Sequence, residues 1–176
     1  MHIQKKLLVL IFSLLLFQGD AYAQSPEQLN DLEIAHVAYT ADTIDIRYAH
    51  LALALSDDAK VREFAQTMIR DHTAVNEQAL ALLKKLGADP QDNYLSQSLQ
   101  KDANTFVNEI SRLRGLAFDK RYTQNELAYH QAVNKLVEYS FIPNIENAEV
   151  KELFQSALKI FKAHEKHAEM IVKKIH

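Results

Sequence analysis

Hydrophobic side chains recur every three or four residues along most of this chain, and that spacing places them on one face of an α-helix. The pattern predicts four long helices, over residues 25–55, 58–86, 116–139 and 147–176, and a shorter helix over residues 94–114. The first two long helices are joined by a short turn, as are the last two, whereas the middle connection contains the shorter helix. This order predicts two antiparallel hairpins that pack as an all-α, up-down four-helix bundle with an extra helix in the crossover.

Capping and helix-breaking residues support these boundaries. The predicted starts carry side chains that cap helices, namely Ser25 followed by Pro26, Asp58, and Asn147. The predicted ends coincide with residues that stop a helix, namely Gly87, Pro90, Gly115 and Pro143. The chain has only three glycines and three prolines, which also favours long helices over a sheet. A bundle with one crossover connection of this kind is typical of ferritin-like folds.

Ionisable residues interrupt the apolar stripes at mid-length. One stands in each of the first, second and last helices, and two stand beside the stripe of the third long helix: Asp45, His72, His164, His130 and Glu126. Counting from each hairpin turn at about 1.5 Å per residue places Asp45 within about one helical turn of His72, and His130 at a height similar to that of His164. The sequence therefore predicts that these side chains meet inside the bundle.

Two explanations fit such a cluster, because a buried carboxylate or imidazole is costly unless it finds a partner. One is a hydrogen-bonded network that fixes the register of the helices. The other is a single transition metal ion, either zinc, copper or iron, bound by one group from each helix. The metal ligands predicted on this explanation are Asp45, His72, His130 and His164. Second-tier candidates for the same site are Glu126, Asp71 and His167.

The residue types limit the chemistry further. The chain has no cysteine, so a metal must bind through histidine, carboxylate or methionine. A ferritin-type di-iron centre needs two Glu-x-x-His pairs, but the residues three positions before the candidate histidines are Ile69, Leu127 and Phe161. No nucleophile elbow or phosphate-binding loop is recognisable. The sequence thus favours binding over catalysis, with no organic cofactor.

Residues 1–23 predict export. Lys5 and Lys6 precede an apolar run over residues 7–17, and residues 21–23 form a small-x-small cleavage site, as in a secretory signal peptide. The apolar run is too short for a permanent membrane helix. We therefore expect residues 24–176 to form a single periplasmic domain that does not insert into the membrane. The net charge of −3 at pH 7, with both signs mixed along the chain, does not favour a nucleic-acid partner.

Three ordered blocks of sequence add a family resemblance. They are VREFAQTMIRDHTAVNEQALALLKKLG at residues 61–87, FDKRYTQNELAYHQAV at 118–133 and ALKIFKAHEKHAEM at 157–170. They are similar to the characteristic blocks of a bacterial family catalogued as domain of unknown function 4142, over roughly residues 34–175. The resemblance implies a ferritin-like fold and export, and it implies no established activity. The family pattern falls on Asp45, Asp71-His72, Tyr122, His130 and His164, with aspartate at the first position where the family tends to have glutamate.

These observations predict an exported helical bundle that binds a transition metal ion through its core cluster and acts in stress tolerance. The alternative is a structural or partner-binding bundle of the cell envelope in which the core histidines and aspartate only form hydrogen bonds. A metal-dependent oxidoreductase is a third hypothesis, which the residues support least.

Overall fold

The computed structural model describes residues 25–175, and the predicted leader lies outside them. Four long helices form a bundle: α1 (Asp31–Leu55), α2 (Ala59–Leu86), α4 (Gly115–Leu136) and α6 (Ala148–Val172). Two further helices connect them: α3 (Tyr94–Ile110) in the crossover and the single turn α5 (Ile142–Asn144) before α6. Within the described range, no helix combines the length and apolar character that a membrane crossing demands.

The four long helices surround one interior. α1 packs against α2 and α4, and α6 packs against the same two helices, while α3 lies along α1. The predicted all-α bundle with an extra helix in the crossover is confirmed.

A polar layer divides the apolar core into two parts. One part is built around large, fully buried side chains at the α1–α2 turn, the end of α3 and the start of α4, including Phe64, Ile110, Phe118 and Tyr122. The other lies towards the opposite end and includes Ile34, Val37, Phe141 and Phe154. Between them, at mid-length of all four bundle helices, are the buried ionisable residues. Apolar packing on both sides therefore isolates this layer from water.

The start of α1 differs from the prediction by about one turn. Residues Pro26–Gln28 form a short 3-10 helix, and α1 begins only at Asp31. The reason is a capping box at Asn30. Its side chain accepts hydrogen bonds from the N–H groups of Leu32 and Glu33, and the Glu33 carboxylate accepts one from the Asn30 N–H. The later cap has the complete set of bonds, so it starts the long helix.

The end of the third bundle helix also differs from the prediction. α4 passes into a π-helical segment, Val137–Phe141, and then into α5, so helical backbone extends beyond residue 139. The N–H of Ile142 bonds to the carbonyl of Val137, five residues earlier. This wider turn keeps both Val137 and Phe141 buried and lets Pro143, which has no N–H, sit at the start of α5. Two other predicted ends were too long, since α3 stops at Ile110 and α6 at Val172.

We expect Asn147→Ala to lower the free energy of unfolding by about 1 kcal/mol. The Asn147 side chain accepts hydrogen bonds from the N–H groups of Glu149 and Val150, which the start of α6 otherwise leaves unpaired. Urea unfolding followed by circular dichroism measures the change. Gln155→Ala, at an exposed position of the same helix, is the control, and equal losses in the two variants would contradict the capping role.

Candidate metal centre

Asp45 stands at the centre of the polar layer. Its Oδ2 atom lies 3.3 Å from His72 Nε2 and 3.4 Å from His130 Nε2. His164 completes the group, since the three histidines offer ring nitrogens that all lie within 4.8 Å of one another. The residues are almost completely buried, with exposures of 0% for Asp45, 3% for His72 and His130, and 4% for His164. The structure therefore places the four side chains that the sequence predicted as ligands in one layer, with Asp45 beside His72 and His130 and with His164 beside the same two histidines.

Carboxylates orient two of the three imidazoles through the ring nitrogen that faces away from the other histidines. His72 Nδ1 donates to Asp42 Oδ1 at 2.7 Å, and His164 Nε2 donates to Asp71 Oδ2 at 2.9 Å. An ionised carboxylate only accepts hydrogen bonds, so the nitrogen facing it must carry the hydrogen. The opposite nitrogen of a neutral ring then presents its lone pair to the interior.

A backbone carbonyl orients the third imidazole. His130 Nδ1 donates to the carbonyl oxygen of Glu126 at 2.9 Å, one helical turn earlier in α4. Three ring nitrogens remain buried without a hydrogen-bond partner: His72 Nε2, His130 Nε2 and His164 Nδ1. In metal-binding histidines the second ring nitrogen donates in this way to a carboxylate or a carbonyl.

A second set of buried groups shares His130 with the first. Asp45, Glu126 and His130 offer ligand atoms within 4.8 Å of one another. Apart from a proton shared between the two carboxylates, the oxygens of Asp45 and of Glu126 are buried without a hydrogen-bond partner, and so is the hydroxyl of Tyr122. Tyr122 is close enough for the charges of Glu126 and Asp45 to raise its pKa, in addition to the larger effect of burial.

The pKa values of the three histidines diverge. Burial alone would lower the pKa of His72, but the carboxylates of Asp45 and Asp42 raise it to about 9. Burial lowers the pKa of His164 to about 4, and it also lowers that of His130. The two aspartates thus favour the positively charged form of His72, whereas burial favours the neutral form of His130 and of His164.

The carboxyl groups respond to the same low-polarity environment. Burial raises the pKa of Glu126 well above its ordinary value, and the negative charge of Asp45 raises it further. Burial likewise raises the pKa of Asp42, although its hydrogen bond to His72 opposes that shift. Asp71 differs, because its hydrogen bond with Arg70 lowers its pKa.

A cavity of about 10 Å³ borders Asp45, His72 and His130. It has about the volume that a single water-sized sphere requires. Its other walls are mostly apolar or aromatic and include Ala41, Val133 and Phe161. The ring of Phe161 stacks on His72, with 4.6 Å between the ring centroids. The layer thus contains a small space bordered by three of the four predicted ligands, whereas His164 does not line it.

Sequence reasoning missed Asp42. This residue stands three positions before Asp45 and therefore on the same face of α1, and its side chain is buried against His72. The spacing of two aspartates on one helical face was the available signal. The apolar stripe of α1, whose members are three or four residues apart, includes Ala41 and Asp45 but not Asp42. Asp42 was therefore not predicted to face the interior.

Two other histidines lie apart from the cluster. The predicted second-tier residue His167 packs its ring against Phe64, at 5.1 Å between centroids. A Glu-x-x-His sequence does occur once in the chain, at Glu33 and His36. His36 Nε2 lies 3.6 Å from Asp92, and neither set of converging ligand atoms includes His36 or His167. None of the three cluster histidines has a glutamate three residues before it.

Comparison with known proteins identifies the family. The family model described as a domain of unknown function, DUF4142, matches residues 18–171. No curated protein and no solved structure matches the chain. The match includes every residue of the polar layer, from Asp42 to His164, and agrees with the resemblance seen in the three sequence blocks. The chain therefore belongs to the DUF4142 family.

Proposed function

We propose that this protein is an exported metal-binding protein of the bacterial cell envelope. It holds a transition metal ion among four side chains, Asp45, His72, His130 and His164. The observation that carries the proposal is the convergence of three imidazole nitrogens that have no hydrogen-bond partner. Each belongs to a ring whose other nitrogen is already bonded to an oxygen, so the inward nitrogen is the one available to an ion, which at His72 would displace a proton.

The distances around Asp45 support this proposal. In tetrahedral coordination with ligands at about 2.0–2.1 Å from the metal, neighbouring ligand atoms lie about 3.3–3.4 Å apart. The two contacts of Asp45 Oδ2, with His72 Nε2 at 3.3 Å and with His130 Nε2 at 3.4 Å, have this length. Neither contact counts as a hydrogen bond, since these atoms are without hydrogen-bond partners. The spacing suits an ion between the atoms better than a proton on the line joining them.

The ligand types favour zinc, copper or iron. Imidazole suits these metals, and one carboxylate beside three imidazoles is compatible with each of them. Four protein ligands would fill a tetrahedral shell and leave no open position, which is the property of structural and storage sites more than of catalytic ones. The role proposed is therefore retention of an ion as part of stress tolerance, without turnover.

Elemental analysis of the natively purified protein tests the proposal. Protein isolated without chelators, and again after dialysis against a transition metal salt, is expected to retain at least one ion per chain. Less than a tenth of an ion per chain in both preparations would contradict it. Export is tested on the same material, because N-terminal sequencing should begin at Gln24 if the leader is removed.

One observation favours a second candidate function. The His72 ring lies between two carboxylates, 2.7 Å from Asp42 and 3.3 Å from Asp45, and they favour its protonated form. Such a network can fix helix register without any ion. The protein would then be a structural or partner-binding bundle of the envelope, in which chelators leave the midpoint of thermal unfolding unchanged and a specific protein is recovered by pull-down.

We expect Asp71→Asn to weaken metal binding about 10- to 100-fold. The substitution keeps the shape of the side chain but removes the negative charge that His164 Nε2–H faces at 2.9 Å, so the inward nitrogen becomes a poorer ligand. Competition with a chelator of known affinity measures the change. Asp89→Asn, at an exposed position in the loop after α2, is the matched control and should bind as the wild type does.

A further inference from the structure

The proposed single ion leaves part of the polar layer without a role. Glu126 is 0% exposed, and its carboxyl group has no hydrogen-bond contact other than a proton shared with the carboxylate of Asp45. Its Oε2 atom lies 4.0 Å from His130 Nδ1, a nitrogen whose hydrogen is already donated to the Glu126 carbonyl. A buried carboxylate in this position calls for a positive charge that the first site does not supply to it.

Two further groups face the same region. Asp45 Oδ1 is buried and has no partner apart from that proton, even though Oδ2 of the same carboxylate lies beside His72 and His130. The hydroxyl of Tyr122, one helical turn before Glu126 on α4, is likewise completely buried and unpartnered. Tyr122 and Glu126 therefore stand on the same face of α4, and the carboxylates of Glu126 and Asp45 offer ligand atoms within 4.8 Å of each other.

We propose that the polar layer holds a second divalent cation, bound by Glu126 and Tyr122 and joined to the first through the carboxylate of Asp45. This inference rests on the proposed function, because Asp45 must already bind the first ion through Oδ2. Carboxylates commonly bridge paired metals that lie about 3.5–4 Å apart. The first ion has mostly nitrogen ligands and the second only oxygen ligands, so the two positions differ in their metal preference.

The charges of the layer agree with two ions. Four carboxylates surround the histidines: Asp42, Asp45, Asp71 and Glu126. Asp71 is already paired with Arg70, so Asp42, Asp45 and Glu126 carry three negative charges when ionised, and a single divalent cation leaves one of these charges unbalanced. This ligand set differs from the two Glu-x-x-His pairs of ferritin-type centres, so the sequence argument against such a centre does not apply to it.

Cobalt titration of the metal-free, full-length mature protein tests the inference. With Co²⁺ alone, we expect the visible absorption to change up to two equivalents and elemental analysis to find about two ions per chain after dialysis. Magnetic coupling between the two ions in electron paramagnetic resonance would show that they are neighbours. One ion per chain at saturation overturns the inference and leaves the proposed function intact, whereas no bound ion overturns both.

Glu126→Gln identifies the position of the second ion. Glutamine has nearly the same shape but no charge, so this variant should keep one ion and lose the magnetic coupling. Retention of one ion also shows that the variant is folded. The matched control is Glu63→Gln, at an exposed position of α2, which should keep two ions. Two ions in Glu126→Gln would place the second ion elsewhere and overturn the inference.

Discussion

Replacing His72 and His164 together by alanine is expected to abolish transition metal binding. The two residues supply two of the three inward imidazole nitrogens, and they come from different helices, α2 and α6. The remaining groups, His130 and Asp45, cannot complete a tetrahedral shell. Elemental analysis after loading and dialysis should therefore find one ion or more per chain in the wild type and about none in the double variant.

The same loss should appear in thermal stability. An ion that binds only the folded chain, at a free concentration about 1,000 times its Kd, adds about 4 kcal/mol to the free energy of unfolding. For a domain of this size that corresponds to a rise in Tm of about 10 °C. Calorimetry with and without a chelator should show this rise in the wild type, whereas the double variant should not respond to either metal or chelator.

A double variant outside the cluster provides the control. His36→Ala with His50→Ala removes two imidazoles from α1, and neither belongs to the converging sets. This protein should bind metal and respond to chelator as the wild type does. Equal loss of metal in both double variants would indicate binding at the surface and would contradict the proposed centre, as would a wild-type Tm that chelators do not change.

Ile110→Ala is expected to lower the free energy of unfolding by about 2–5 kcal/mol. Ile110 is the last residue of α3 and is 0% exposed. It packs in the same part of the core as Phe118 and Tyr122, so its removal leaves a cavity that the surrounding helices cannot easily fill. The result would show that the crossover helix is part of the folding unit and does not merely connect the two hairpins.

Ile160→Ala is the matched control for this measurement. Ile160 lies in the middle of α6 but is 39% exposed, so its truncation should cost about 1 kcal/mol or less. Urea unfolding of both variants, with fluorescence and circular dichroism as probes, compares the two. A loss in Ile110→Ala no larger than in Ile160→Ala would mean that α3 contributes little to the core.

The sequence predicted the bundle because its strongest signals are local. Apolar spacing on one helical face and capping residues such as Asp58 and Asn147 act within a few positions, and both caps form as expected. The errors arose where two local signals compete. Ser25 and Asn30 both cap a helix, and only the tertiary structure decides which cap starts α1. The π-helical turn before Pro143 likewise depends on burying Val137 and Phe141 together, which no local rule anticipates.

The sequence identified some residues of the candidate site and not others, because only some of them are marked by a local pattern. Residues at mid-length of an apolar stripe must point inwards, and this rule is sufficient to identify Asp45, His72 and His164 from the sequence. The second layer of partners is harder to predict, because it depends on rotation of the helices by fractions of a turn. Asp42 was missed on that account, and Glu126 ranked only second although it is completely buried. Which nitrogen of each imidazole faces inwards also depends on such partners, as the Asp71 bond to His164 shows.

The apolar packing above and below the polar layer has a kinetic consequence. Because His72, His130 and His164 are each no more than 4% exposed, the described helices block direct access of solvent to their ring nitrogens. Uptake and release of the proposed ion would therefore require local opening of the helices, so that its residence time would depend on the rate of that opening as well as on the strength of the coordinate bonds. An ion trapped during folding would accordingly exchange slowly, even where a competing chelator binds it more tightly.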